Sequence, residues 1–219
     1  MARLLPRSTP IYQLKVTLKD TKPPIWRRIL VPTNVTMRRL HDILQVVMPW
    51  QDRHLFIFEV GRTYIGEPDP EEDWREVRPA KTTKLSQVAP VAGGKFVYEY
   101  DFGDSWRHDI LVEKVLPAQP GADYPVCTAG RRASPPEDCG GAWGYAELLE
   151  IIANPAHEEY DNSMTWLGGE FDPDVYDVAE INTVLRIAGF VRSVAETPPK
   201  PPKPPRAEPA QTRRHLRLL

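Results

Sequence analysis

Residues 95–115 read KFVYEYDFGDSWRHDILVEKV, and the way this stretch folds back on itself decides the architecture. Side chains alternate on both sides of Gly103-Asp104-Ser105, with the period of two that a half-buried strand imposes. A three-residue turn over Gly103–Ser105 pairs Phe102 with Trp106, Tyr100 with His108 and Tyr98 with Ile110. That register gathers the aromatic and apolar side chains on one face and sets Asp101 opposite Arg107 on the other. The alternative register scatters them. The stretch therefore reads as an antiparallel hairpin, Lys95–Phe102 with Trp106–Val115.

The preceding sequence supplies more of a sheet. Ile11–Lys19 alternates cleanly and Ile25–Val31 follows after Lys22-Pro23-Pro24, which makes a second hairpin; His54–Val60 is a further strand. Thr36 is placed to cap a helix whose Met37, Leu40, Ile43, Leu44, Val47 and Met48 fall on one stripe, and Pro49 ends it. Residues 67–76 carry six acids and two prolines and read as a solvated loop. Pro117–Gly141 reads as a long irregular loop, followed by helices at Gly144–Ala153, His157–Trp166 and Val175–Ile187, the last stopped by Gly189. The expected fold is α+β: a mostly antiparallel sheet of two hairpins plus a strand, packed with helices. A flexible N-terminus over 1–9, one domain over 10–192 and a Pro-rich, basic, disordered tail over 193–219 complete it.

Charge is unevenly spread. The 219 residues sum to −2, yet from Thr197 onward six Lys and Arg face the single acid Glu208, which leaves 22 basic and 29 acidic residues, or −7, on the rest. An acidic body does not capture phosphate backbones broadly, so no strong nucleic-acid binding is expected; weak contacts through the tail are the exception. No apolar run reaches the roughly 20 residues needed to span a bilayer, and residues 1–7 lack the apolar core of a signal peptide. Two cysteines do not make a disulfide framework. A cytoplasmic location and no membrane partner are the expectation.

A second motif, Pro135-Pro136-Glu137-Asp138-Cys139-Gly140-Gly141, sets two acids and a thiol between rigid prolines and permissive glycines. With the hairpin it defines a candidate polar site: His54, Asp101, Asp104, Trp106, His108, Glu137, Asp138 and Cys139. Each has an ordinary alternative. His108 on an aromatic face is more often a core histidine, Asp101 a cross-strand partner of Arg107, Asp104 a turn residue and Glu137-Asp138 a helix start. The aromatics Tyr98, Tyr100, Phe102 and Trp106 could stack bases, but the acids around them favour core packing. Cys127 and Cys139 are eleven residues apart, outside zinc-knuckle spacing. The Gly103–Ser105 turn and the Pro135–Gly141 loop are expected to lie against each other.

Trp26-Arg27-Arg28 after Pro23-Pro24, Trp50 with His54-Leu55, the run Tyr100–His108 and Pro135–Gly141 together resemble the plasmid pRiA4b ORF-three-like family, in order, over about residues 10–190. The resemblance implies a bacterial-type, mobile-element-associated protein of unknown function. Some members of the family carry a transposon-resolvase label. In the resembling pattern a cysteine stands where this chain has Ser134, beside Cys127 and Cys139. A metal here would instead fall to His54, His108, Asp104 or Asp138, with Asp104, His108 and Asp138 as the candidate ligands. No complete catalytic motif is present, which favours a binding or interaction module whose polar groove is rigid rather than catalytic. The alternative is a metal-dependent phosphoester hydrolase using a divalent cation. A site-specific recombinase ranks third, because Ser8 is the sole early serine and no helix-turn-helix is evident.

Overall fold

A computed structural model describes residues 4–6, 8–68 and 76–194. Its strands are β1 (Ile11–Leu18), β2 (Trp26–Pro32), β3 (Phe56–Val60), β4 (Thr63–Gly66), β5 (Val77–Pro79), β6 (Lys95–Tyr100), β7 (Trp106–Leu116), β8 (Asp123–Tyr124), β9 (Val126–Arg131) and β10 (Arg192–Ser193). The helices are α1 (Met37–Val47), α2 (Leu85–Val88), α3 (Gly141–Ile152), α4 (Tyr160–Trp166) and α5 (Val178–Ile187). Eight strands form one sheet in the order β5-β4-β3-β6-β7-β1-β2-β9, antiparallel except for β4 with β5; β10 and β8 form a small second sheet. The fold is α+β.

Alternation explains the layering. Tyr12, Leu14, Val16 and Leu18 of β1 join Phe58, Tyr98, Tyr100, Trp106, Ile110 and Val112 in one buried cluster with Met37, Leu40, Ile43, Leu44 and Val47 of α1. Their alternating neighbours form ion pairs at the half-exposed face, with Arg107 between Glu59 (2.8 Å) and Glu99 (2.6 Å) and Arg28 on Glu113 (2.7 Å). One face thus packs and the other is wetted, as antiparallel sheets permit. Tyr98, Tyr100 and Trp106 are buried in the core, while Phe102 is half exposed.

The central hairpin keeps the expected face but shifts its register by two residues. Tyr100 pairs with Trp106, Tyr98 with His108 and Phe96 with Ile110. Arg107 consequently faces Glu99, not Asp101. The cause is Asp101 itself, which leaves the strand at φ 58° and lengthens the connection to Asp101–Ser105, closed by a bond from the Ser105 N–H to the Asp101 carbonyl. A shift of two preserves side-chain orientation, so the aromatic pattern alone could not distinguish the registers.

The stretch expected to be irregular, Pro117–Gly141, contains β8 and β9. The sequence of β9, VCTAGR, shows no apolar alternation, and its strand form comes from β2 on one edge and α5 on the other. Asn182 of α5 accepts the Cys127 N–H through Oδ1 and donates to the Cys127 carbonyl through Nδ2, both at 2.8 Å. At the ends, Leu5 is buried, its N–H donates to the Ser193 carbonyl, and Val194 packs beside it, so the packed body extends beyond 10–192 in both directions. The tail from residue 195, and residues 69–75 of the acidic loop, lie outside the described residues.

Thr36 caps α1 by accepting the Arg39 N–H at 3.2 Å. The other end of α1 is met by Arg27 of β2, which is fully buried. Its Nε donates to the carbonyl of Val47, the last residue of α1; Nη1 donates to the Trp26 and Arg131 carbonyls, and Nη2 to Ser134 Oγ, each at 2.9 Å. The guanidinium lies 3.7 Å from the centroid of the Tyr176 ring. Burial pushes its pKa down to about 10, still cationic at neutral pH, and a positive charge suits a helix C-terminus. Among the described residues no carboxylate pairs with it, so neutral acceptors and one aromatic face carry the whole load. Arg27→Lys should therefore lower the unfolding free energy by about 3 kcal/mol in chemical denaturation, because an ammonium cannot reach four acceptors from one fork. An unchanged midpoint would show the network to be dispensable.

Candidate functional site

Three segments converge beyond the C-terminal end of α1. The first, Trp50–His54, is laid along the helix by Gln45, whose backbone carbonyl accepts the Trp50 N–H and whose Oε1 accepts the Asp52 N–H, both at 2.9 Å. His41, one turn earlier and fully buried, extends this template. Gln45 Nε2 donates to the Tyr98 hydroxyl, which sits 2.8 Å from His41 Nδ1, and His41 Nε2 lies 2.7 Å from Asp52 Oδ1. Only a neutral ring protonated on Nε2 satisfies every partner: Tyr98 donates to Nδ1 and Nε2 donates to Asp52. Burial, which lowers the His41 pKa, favours the same neutral form.

The second segment is the Asp101–Ser105 connection, where Asp101 Oδ1 accepts the Gly103 N–H at 2.9 Å. The third is the Pro135–Gly141 loop. Trp50 Nε1 donates to the Pro135 carbonyl (2.9 Å), the Gln51 N–H to Glu137 Oε2 (3.2 Å) and the Tyr100 hydroxyl to Glu137 Oε1 (2.5 Å). Turn and loop lie against each other: the Gly140 N–H reaches Asp104 Oδ2 at 3.3 Å. A Cβ on Gly141 would sit 2.5 Å from the Asp104 carbonyl oxygen, at φ 69°, so this contact requires glycine. Tyr100 ties all three segments together, since its hydroxyl also accepts the Arg53 N–H at 3.0 Å.

At the meeting point His54 Nε2 lies 3.3 Å from Asp138 Oδ1 and 3.6 Å from Asp101 Oδ2, and one ligand atom from each residue falls within 4.8 Å of the others. His54 Nε2 has essentially no exposed surface yet makes no hydrogen bond. Among the described residues neither carboxylate has a Lys or Arg partner. Both aspartates sit at positive φ, 58° and 60°, a conformation that Asp tolerates and that recurs where side chains are aimed for function. Asp101 is nearly buried, while the Asp138 side chain is 62% exposed, so the cluster opens to solvent on one side.

The remaining candidates fall elsewhere. His108 lies in the core, edge-on to Trp50 at 5.3 Å, with Nδ1 3.3 Å from the Tyr98 carbonyl. Trp106 is buried against Trp50. The Cys139 thiol is pushed up to about 12 by burial, with the Asp104 and Asp138 charges adding to it, so it stays protonated. Asp104 and Glu137 fasten the loop rather than face the cluster. Ser134 bonds Arg27, and Cys127 lies beside the Tyr176 hydroxyl, so the three positions of the thiol pattern do not form a shared ligand cluster among the described residues. A second group of ligand-type side chains, His41, Asp42 and Asp52, is spanned by Arg38, which pairs with Asp42 (2.8 Å) and Asp52 (2.7 Å) and so already supplies the cation.

Residues 10–180 match the family model described as Plasmid pRiA4b ORF-3-like protein. The uncharacterised protein y4hQ of Sinorhizobium fredii is 36% identical over 175 residues, covering 78% of this chain and 89% of that protein. The crystal structure of a protein of unknown function from Methanosarcina mazei Go1, MM3350, shares 40% identity at a TM-score of 0.71, covering 78% of this chain and 97% of the other.

The site and its core produce two expectations. Tyr100→Phe removes the hydroxyl that joins the three segments, and it should cost about 2 kcal/mol in urea denaturation by leaving Glu137 and the Arg53 N–H short of a partner. A neutral effect would mean that the loops are held without it. His108 is pushed down to about 4, mainly by burial, so the unfolded chain binds its proton first as the solution is acidified. Stability is then complete above about pH 6.5 and falls as the pH drops toward 4, by roughly 3 kcal/mol in all. Urea midpoints across this range should show a slope that His108→Phe flattens.

Proposed function

The chain belongs to the plasmid pRiA4b ORF-3-like family, and for it we propose a binding module whose polar groove holds one divalent cation on His54, Asp101 and Asp138. The observation that carries this reading is the His54 Nε2 atom, enclosed and without a hydrogen bond, beside two carboxylates that no Lys or Arg neutralises among the described residues. A dication balances both charges and gives the imidazole a partner. One imidazole with two carboxylates suits manganese or zinc better than calcium, which prefers an all-oxygen shell. Glu137, Asp104 and Tyr100 act one layer behind, fixing the loop that presents Asp138.

The exposure of Asp138 favours metal-dependent phosphoester hydrolysis as a second reading, because three protein ligands on an open face leave positions for water. A bound ion there would acidify that water. In both readings the residues of this chain orient the ion and keep one side of it dry.

Calorimetric titration of untagged protein with manganese and with zinc should show one ion per chain. Asp101→Asn together with Asp138→Asn should weaken it at least about a hundredfold while the melting curve stays cooperative. Absence of binding by the unmodified protein, or equal binding by the double variant, would falsify the cation site. Turnover of p-nitrophenyl phosphate that depends on the ion and is lost with Asp138→Asn would favour hydrolase over binding module.

A further inference from the structure

Each of the three segments that meet at His54, Asp101 and Asp138 also holds one large apolar side chain in solvent. Leu55 follows His54, Phe102 follows Asp101, and Trp143 stands five residues after Asp138. Their exposures are 67%, 51% and 79%. The backbone keeps them close to the cluster. The Asp101 N–H donates to the Leu55 carbonyl at 2.9 Å, which sets Leu55 beside the residue that precedes Phe102. Trp143 is the third residue of α3, and Gly141, the first, is pressed so tightly on Asp104 that a Cβ there would meet its carbonyl oxygen at 2.5 Å. Helical side chains tilt back toward the N-terminus, so the indole projects toward the end of α3 that follows Asp138.

A single exposed apolar side chain is ordinary, but one on every segment that supplies a ligand atom is not. Three such side chains present no more than about 600 Å², less than the roughly 800 Å² that each partner of a stable protein interface contributes. They suit a small ligand instead, and two of the three are flat rings that stack on other rings. The charges nearby narrow the choice further. Asp101, Asp104, Glu137 and Asp138 crowd this end of the molecule, so a polyanion is repelled. A single oxyanion finds its partner in the dication itself, whose positions on the exposed Asp138 side stay open and take oxygen donors.

We propose that the ligand of this site is a small aromatic oxyanion, with one carboxylate or phosphate head on the open face of the cation and its flat ring against Trp143 and Phe102, Leu55 closing the edge. The inference rests on the cation reading given above and names the class of molecule that the groove takes. Head and ring are recognised by different parts, the ion and the rim, so neither alone supplies the full affinity. Trp143 is a positioning contact for the ring and has no part in holding the ion.

The test loads the full chain with manganese and titrates it with 2-naphthoate and with acetate, the same head without the ring. Calorimetry reads affinity, and water proton relaxation reads loss of water from the manganese. 2-Naphthoate should bind at least about tenfold tighter than acetate, displace metal-bound water, and bind at least about tenfold more weakly to the metal-free protein. Trp143→Ala should lose about tenfold in 2-naphthoate affinity while its manganese and acetate affinities stay unchanged. Phe102→Ala repeats the test should Trp143→Ala fold poorly. 2-Naphthyl phosphate against inorganic phosphate runs the same comparison for the other head, and the larger gap identifies the head that the site takes. Failure of the unmodified protein to bind manganese removes the cation reading and this inference with it. Normal manganese binding with no gap between ring-bearing and ring-free probes, or an unchanged 2-naphthoate affinity in folded Trp143→Ala, overturns this inference alone. Self-association that Trp143→Ala abolishes would assign the rim to a second copy of the chain and overturn it as well.

Discussion

The guanidinium of Arg27 is the constraint on which the rest depends. A charge taken out of water costs several kcal/mol, and among the described residues no acid offsets it. Instead, four acceptors from four places must stay where they are: the end of α1, the start of β2, the end of β9 and Ser134. The helix terminus gains a positive charge where its unsatisfied carbonyls gather. The sheet edge is thereby locked to the helix layer, and Tyr176 seals the arrangement from outside, so close that a Cβ on Gly130 would meet its ring at 2.2 Å.

From that anchor the candidate site follows as a matter of reach. The chain leaving Ser134 passes over Trp50, whose indole N–H takes the Pro135 carbonyl, and arrives at Tyr100 with Glu137 already fixed. Asp138 is then presented toward His54, which the strap templated by Gln45 and His41 has brought to the same place. The cluster is thus assembled by polar groups buried behind it. A rigid, fully bonded layer behind a few under-bonded side chains is the pattern that ligand sites use.

Much of this was legible in the residues, and the failures have physical causes. The alternation in Ile11–Lys19 and in the central hairpin, and the Thr36 cap, act locally and could be read locally. The hairpin register could not, because a shift of two leaves every side chain on the same face, and the decision fell to the left-handed conformation of Asp101. His108 and Trp106 carry polar atoms that look functional in a string of letters, yet their place on β7 turns them into the core. Conversely His41 and Gln45, four residues apart beside the apolar stripe of α1, are the signal that the sequence holds for the buried network. Strand β9 is paired to β2 on one edge and held at Cys127 by Asn182, 55 positions away, on the other, and no short window along the chain contains these partners.

That same asparagine has a consequence for how the molecule meets others of its kind. The side chain of Asn182 offers Cys127 one donor and one acceptor, as a further strand would, and so ends the ladder with an amide borrowed from a helix. Edge strands with open peptide groups recruit neighbouring chains and lead to uncontrolled assembly. Here the position where another polypeptide would dock its backbone is already filled from within. At Cys127 the sheet is closed by its own fold, beside the irregularity that interrupts the β2–β9 register.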